Sequence, residues 1–197
     1  MRNTSRFLVL FTVVSLVFAG CGKKPVQETN DAEAAISAAI KAGAEIYAQE
    51  ELLKLNNDLA AAKNQLDIQD KKLIKKYGAA REMLTKIAAD ASALQATVAS
   101  RKEEAKNNAA SAQNEAKAAL DEAKALLEKA PTGKGARADI EALRADLKAL
   151  EGSLAEVQQA IDSEDYLGAA DRARIIQEKA SGISSQIKQA LEKVKKK

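Results

Sequence analysis

The strongest constraint on this chain is an uninterrupted stretch from Val26 to Ala130 that contains no proline and carries its apolar residues at alternating steps of three and four. Such spacing places side chains on one stripe of a helix, whereas a half-buried strand would repeat every second residue. The stripe runs Leu52, Leu55, Leu59, Ala62, Leu66 and Leu73, and from Tyr77 it continues as Ala80, Leu84, Ile87, Ala91, Leu94 and Val98 in the manner of a coiled-coil seam. After Arg101-Lys102-Glu103-Glu104 it resumes as Ala105, Ala109, Ala112, Ala116, Ala119, Ala123 and Leu126. One very long helix is the natural reading, roughly 75 Å for about fifty residues at 1.5 Å each. An Ala-lined seam lets another helix approach closely but contributes little burial energy, so residues 101 to 119 are expected to be the least stable part or to need a partner.

Composition supports helices and narrows the chemistry. Ala makes up close to a quarter of the residues after Cys21, Lys and Glu are common, and there is no Trp. The three Phe residues, Phe7, Phe11 and Phe18, all lie in the first twenty positions, leaving three Tyr as the aromatics of the remainder. With no His the chain cannot build an imidazole acid/base pair, an imidazole metal site or a His-ligated haem. A single Cys excludes an intrachain disulfide, a CxxC redox pair and a zinc-thiolate cluster. Of the 31 basic residues, Arg2 and Arg6 precede Cys21, which leaves 29 against 28 acidic ones and no field for nucleic acid. No catalytic residue, cofactor site or metal site is expected.

The first twenty residues read as an export signal. Met1 to Arg6 is a short basic region, Phe7 to Phe18 an apolar run, and Ala19-Gly20 are small residues before Cys21. A membrane span needs roughly 20 apolar residues, and this run stops short of that before Gly22-Lys23-Lys24-Pro25. Phe18-Ala19-Gly20-Cys21 resembles the bacterial lipobox, departing from it where Phe18 replaces the usual Leu. The resemblance implies cleavage after Gly20, a diacylglyceryl group on the Cys21 thiol, and acylation of the freed amine by a fatty acid such as palmitate. Two or more acyl chains anchor stably where one holds only marginally. Gly22 in place of the Asp that retains such proteins in the inner membrane implies a cell outer membrane location facing the periplasm. Residues 21–30 are expected to be a lipid-anchored tether reaching about 30 Å if extended. Lys23 and Lys24 are read either as meeting anionic headgroups, each at about 1 kcal/mol, or as part of a merely soluble tether.

Within the body, Asn30-Asp31 supplies helix-cap chemistry ahead of Ile36, Ile40 and Tyr47, and Ala48-Gln49-Glu50-Glu51 marks a fresh helix start or a bend. Ala130-Pro131-Thr132-Gly133-Lys134-Gly135 is a strong breaker. Beyond it lies the stripe Ile140, Leu143, Leu147, Leu150, Leu154, Val157 and Ile161. Asp162-Ser163-Glu164-Asp165 then provides a turn, and a last helix runs from about Tyr166 to Val194. The domain reading is therefore 1–20 signal, 21–30 tether, 31–129 long-helix hairpin region, 130–135 linker and 136–197 C-terminal hairpin.

The two halves repeat each other. Leu55, Leu59, Ala62, Leu66 and Leu73 align with Leu143, Leu147, Leu150, Leu154 and Ile161. With one insertion, Tyr77, Ala80, Leu84, Ile87, Ala91, Leu94 and Val98 align with Tyr166, Ala169, Ala173, Ile176, Ala180, Ile183 and Ile187. Two related helical hairpins are expected, the first turning between Asp67 and Tyr77 unless the helix continues there unbroken. The fold class is all-α, elongated hairpins in a coiled-coil-like bundle.

The stretch from Ala32 to Glu51, with Ala35-Ile36, Ala39, Ala44 and Tyr47-Ala48-Gln49-Glu50-Glu51, resembles an uncharacterised family of Ala-rich bacterial envelope lipoproteins and periplasmic proteins. Their domains pair an Ala-rich helix with a Tyr-Ala-Pro-Glu-like joint and a following hairpin, and some members carry a separate peptidoglycan-binding domain. Gln49 stands where that family often has Pro. The resemblance spans residues 32 to 98 and implies an all-helical fold and an envelope location, with no activity.

The leading functional expectation is a structural or adaptor lipoprotein that binds a protein partner, or itself, along its helical seams. A second is attachment to peptidoglycan through the basic end Lys193-Val194-Lys195-Lys196-Lys197, which reads more naturally as cations that complement the helix C-terminus and fray into solvent. An enzyme would have to use acids such as Glu103-Glu104 or Asp162 with Asp165, or one of Tyr47, Tyr77 and Tyr166. These read more naturally as solvated faces, turn residues and packing at joints. Lipid carriage would need a cavity lined by large apolar side chains, which Ala-dominated seams do not supply.

Overall fold

The computed structural model describes residues 22–130 and 137–195, and among these every regular element is a helix. In chain order they are α1 (Val26–Ala42), α2 (Ala44–Tyr47), α3 (Gln49–Asp70), α4 (Gly78–Leu127), α5 (Arg137–Asp162) and α6 (Tyr166–Lys195). α4 is the very long helix, 50 residues in one piece. The signal segment 1–20, Cys21, Pro131 to Gly135, Lys196 and Lys197 lie outside the described residues.

The chain divides into two compact units, Met1–Arg101 and Lys102–Lys197. The division falls inside α4 and not at the Pro/Gly stretch on which the sequence reading placed it. A composition break marks where the backbone can turn, while packing decides which helices share a core.

In the first unit, α1, α3 and the first half of α4 close on one core. Ala32, Ile36 and Ala39 of α1 meet Leu52, Leu55, Ala62 and Leu66 of α3 and Ala80, Leu84, Ile87, Ala91, Leu94 and Val98 of α4. Cross-helix pairs fix the directions. Lys24 meets Asp70 at 2.6 Å and Glu33 meets Lys63 at 2.7 Å, which together set α1 antiparallel to α3, while Glu28 meets Arg81 at 2.7 Å and Gly43 lies by Val98, which set α1 parallel to α4. Exposed ion pairs of this kind add little stability by themselves. The burial of the apolar stripe supplies most of it.

The second unit has the same up-down-up order, with the Ala-rich half of α4 as its first helix. Lys124 is paired with Glu151 of α5, and Gln113 donates to Gln158 of α5 at 2.9 Å. Lys188 of α6 reaches Glu122 at 2.7 Å, and Gln177 donates to Glu115 at 3.2 Å. Ala105, Ala109, Ala112 and Ala116 are buried here. The helix partner that this seam needs is thus α5 and α6 of the same chain. The buried register shifts near its end, because Leu120 and Leu127 are enclosed while Ala119 and Leu126 are only half-buried. A stripe stepping at 3.5 drifts around a helix of 3.6 residues per turn, so the inward face passes to the next residue.

The duplicated stripe is carried through to burial in the second arm of each hairpin. Tyr77, Ala80, Leu84, Ile87, Ala91, Leu94 and Val98 are all buried, and so are Tyr166, Ala169, Ala173, Ile176, Ala180, Ile183 and Ile187. The first arm is looser, with Leu59, Leu143, Leu154 and Ile161 half-buried. Leu73 departs altogether. It is fully exposed in the loop 71–77, which turns the chain where an unbroken helix was the alternative.

Two helix ends have specific chemistry. α1 stops at Gly43, whose φ of 107° lets its N–H reach the carbonyls of Ala39 and Ile40. A side chain there would be strained by the backbone, and its Cβ would lie 3.3 Å from Tyr47 Cδ2. Gly43→Ala is expected to destabilise the first unit by about 1–2 kcal/mol, read as a lowered urea midpoint. An unchanged midpoint would show that the joint tolerates another conformation. The turn between α5 and α6 is closed by Asp165 N–H on Ala160 O at 2.9 Å and Glu164 N–H on Ile161 O at 3.0 Å, with Glu164 at a φ of 63°. Asp165 then caps α6, its Oδ1 accepting from Gly168 N–H at 3.1 Å.

Candidate functional site

The N-terminal entry of the chain into the first unit is where the sequence-predicted anchor and the folded body meet. Gly22 and Lys23 are followed by Pro25, buried at the start of α1, whose carbonyl accepts from Thr29 N–H at 3.1 Å and Thr29 Oγ1 at 2.8 Å. Helix therefore begins at Val26, so the last residues of the stretch 21–30 read as tether are already folded. The physical reason is that proline is well tolerated at a helix start, where its missing N–H would have no partner anyway.

Three contacts fasten this entry to the α3–α4 end of the unit. Lys24 Nζ donates to Asp70 Oδ2 at 2.6 Å, and the Tyr77 hydroxyl donates to the other oxygen of the same carboxylate. Arg81, held through Nε by Glu28, donates from its guanidinium to the carbonyl of Lys23 at 3.3 Å. The Lys24 and Tyr77 hydrogen bonds hold the Asp70 carboxyl below its usual range. The same carboxylate raises Lys24 and Tyr77 above theirs. All three directions favour an ionised Asp70 clasped by a charged lysine and an un-ionised tyrosine.

A second constellation braces the opposite end. α2 is a single turn ending at Tyr47, Ala48 leaves the helical range with φ −154° and ψ 46°, and α3 starts at Gln49, so the Tyr47-Ala48-Gln49-Glu50-Glu51 stretch is a true joint even with Gln49 in place of proline. Arg101 of α4 spans it, donating to Tyr47 O at 2.8 Å and to Glu51 Oε1 at 2.6 Å. The Arg101 hydrogen bond, with one from the residue's own backbone, lowers Glu51 below the usual carboxylate range. The tyrosine ring packs over Gly43. This is a positioning device in which one guanidinium ties the backbone carbonyl of Tyr47 to a first-turn acid of α3.

The other candidate residues take structural places. Glu103 and Glu104 are exposed on α4, and Asp162 accepts from Gln158 Nε2 at 2.8 Å. Asp165 is a helix cap, and its carboxylate occupies the space that a side chain at position 168 would fill, which accounts for Gly168. Lys102 pairs with Glu164 at 2.6 Å and lowers that acid's pKa. Tyr77 and Tyr166 are buried at equivalent starts of α4 and α6, and Tyr47 is half-buried. Among the described residues no group of three or more Cys, Asp or Glu side chains could hold a metal ion. Open grooves run between helices, one of them of about 470 Å³ and lined by Asp146, Leu150, Lys179, Ile183 and Gln186.

Set against known protein families, curated proteins and solved structures, the chain matches none. No described helix is long and apolar enough to cross a membrane.

Asp70, Arg81, Gly43 and Arg101 were missed by sequence reasoning because each acts across helices or through a backbone carbonyl. One weak signal existed. The segment Lys71-Lys72-Leu73-Ile74-Lys75-Lys76 puts four lysines in six positions at the place where the chain turns.

Proposed function

We propose that this chain is a lipid-anchored envelope protein that acts as a structural or adaptor module, binding a protein along its helices and carrying out no reaction. The observation that supports this best is the fastening of Lys23 and Lys24 to the first helical unit immediately after Cys21. With helix from Val26, only Gly22 to Pro25 separate the proposed lipid from the folded body, so a diacyl or triacyl Cys21 would hold that body against the bilayer. Exposed apolar side chains that the two cores leave unused, such as Ile46, Leu53 and Ile175, offer contact points for a protein partner.

The decisive measurement has two parts. Mass spectrometry of the purified chain should find cleavage after Gly20 and acyl groups on Cys21, and Cys21→Ser should leave the protein unprocessed and without acyl groups. A Cys21→Ser chain with the same processing and fractionation as the parent would sink the anchor. Cross-linking in living cells should then recover a defined protein partner. Recovery of none, with reproducible turnover abolished by replacing one acid, would replace the adaptor by an enzyme.

A further inference from the structure

We infer that the loop Lys71-Lys72-Leu73-Ile74-Lys75-Lys76 is a second membrane contact, seating two aliphatic side chains in an anionic lipid surface beside the anchored N-terminus. The inference rests on the anchor reading for its geometry, and the loop itself supplies an independent argument.

Leu73 and Ile74 are exposed by 104% and 76%, the two most solvent-facing large apolar side chains among those described. Both sit in a connection that does not need them. The equivalent turn in the second unit joins its helices through Ser163, Glu164 and Asp165, closed by backbone hydrogen bonds and polar caps. The first unit uses residues 71–77 and places an apolar pair at the centre of its loop, flanked on each side by two exposed lysines. Lysine stems cover apolar surface while their ammonium heads reach a polar interface, so this order suits a shallow seat at headgroup depth. Each such lysine near an anionic surface strengthens attachment by roughly fivefold, and each buried aliphatic side chain by about tenfold or more.

Position decides the occupant. Lys24 is bonded to Asp70, the residue immediately before the loop, and the Lys23 carbonyl to Arg81, just after it. Two peptide links separate Lys23 from Cys21, a reach of about 7 Å at most. Acyl chains on Cys21 would therefore enter the bilayer next to this loop. Asp70 and Glu28 are bonded to Lys24 and Arg81, and Asp67 faces Lys24; Asp70 also attracts Lys75, yet Lys71, Lys72, Lys75 and Lys76 are all exposed and able to meet anionic headgroups.

The chain contains no Trp, so Leu73→Trp introduces a single reporter at a fully exposed site. The full chain carrying this change, reconstituted in phosphatidylglycerol-containing vesicles, should show blue-shifted emission, quenching by brominated acyl chains and protection from acrylamide. Replacing the four lysines with Gln in that background should weaken the loop's partition into the lipid by roughly fivefold per lysine, read as emission and acrylamide access that move toward the values of the free chain. Leu53→Trp, on the exposed side of α3 at the other end of the unit, should stay water-exposed on the same vesicles. An acylated, vesicle-bound chain whose Trp at position 73 remains acrylamide-exposed overturns the loop contact and leaves the anchor standing. A chain without acyl mass on Cys21 sinks the anchor instead. The loop is then read by titrating that chain with the same vesicles, where unchanged emission overturns it. Equal shifts at positions 73 and 53, or retention on purified peptidoglycan without a shift on vesicles, also overturn it.

Discussion

Leu84→Ala is expected to destabilise the first unit by about 2–5 kcal/mol, the largest effect of a single truncation here. Leu84 is fully buried on α4, within the cluster that α1 and α3 also enter. Removing three carbons forfeits their transfer energy and leaves a hole that the surrounding helices can only partly close. Urea unfolding of the full chain is the measurement, with Leu73→Ala as its counterpart. The two leucines are eleven positions apart in the same apolar pattern, yet Leu73 is fully solvated and its truncation should move the midpoint hardly at all. A loss below about 1 kcal/mol for Leu84→Ala would be incompatible with a well-packed site.

The second large effect has the opposite sign in volume. Ala116 is completely buried where the Ala-rich half of α4 meets α5 and α6, at the level of the Gln113–Gln158 and Glu115–Gln177 hydrogen bonds. Its methyl group is fully enclosed, so a larger side chain must displace the atoms around it. Ala116→Leu is expected to cost about 1–3 kcal/mol, with more if the helix pair is forced apart. Ala118→Leu, two residues on and exposed, should be near neutral because Leu and Ala are both good helix formers. Thermal unfolding of the pair separates the effects. Equal midpoints would show that the Ala seam is not packed as described.

Together these variants test two different solutions to the same problem. The first unit builds its core from Leu, Ile and Val on α3 and α4, with Ala on α1 bringing the third helix close. The second takes most of its large residues from α5 and α6, such as Leu147, Val157, Ile176 and Ile187, and packs onto them the face of α4 that is Ala from 105 to 116 and ends in Leu120 and Leu127. In each case an alanine-rich helical segment lies against a hairpin that carries most of the larger aliphatic residues. This explains how a chain with so few aromatic residues closes two cores. Close backbone approach replaces side-chain bulk, with many small van der Waals contacts per residue.

Much of this was legible in the residues alone. Three-four spacing without proline demands helices, and the Tyr-led stripe at Tyr77 and Tyr166 identified the two hairpin arms that are buried position by position. Local propensity and periodicity depend on near neighbours, and such neighbours are printed in the sequence itself. The proposed anchor at Cys21 was legible from the sequence alone, because resemblance to a processing signal is a property of a linear string. Its surroundings were not. Asp70 is drawn to Lys24 and Tyr77, Arg81 to Lys23, and Arg101 to the Tyr47–Glu51 joint, by contacts spanning up to 58 positions that no local pattern encodes. Nor does periodicity tell whether Ala105 to Ala116 faces solvent, a second molecule or its own chain. Leu73 likewise satisfies the stripe on paper and leaves it in space. Helix formation is governed by energies within a few turns, whereas the choice of which stripes meet, where a unit ends and which side chains are left outside follows from closing a core, and that is a property of the assembled helices.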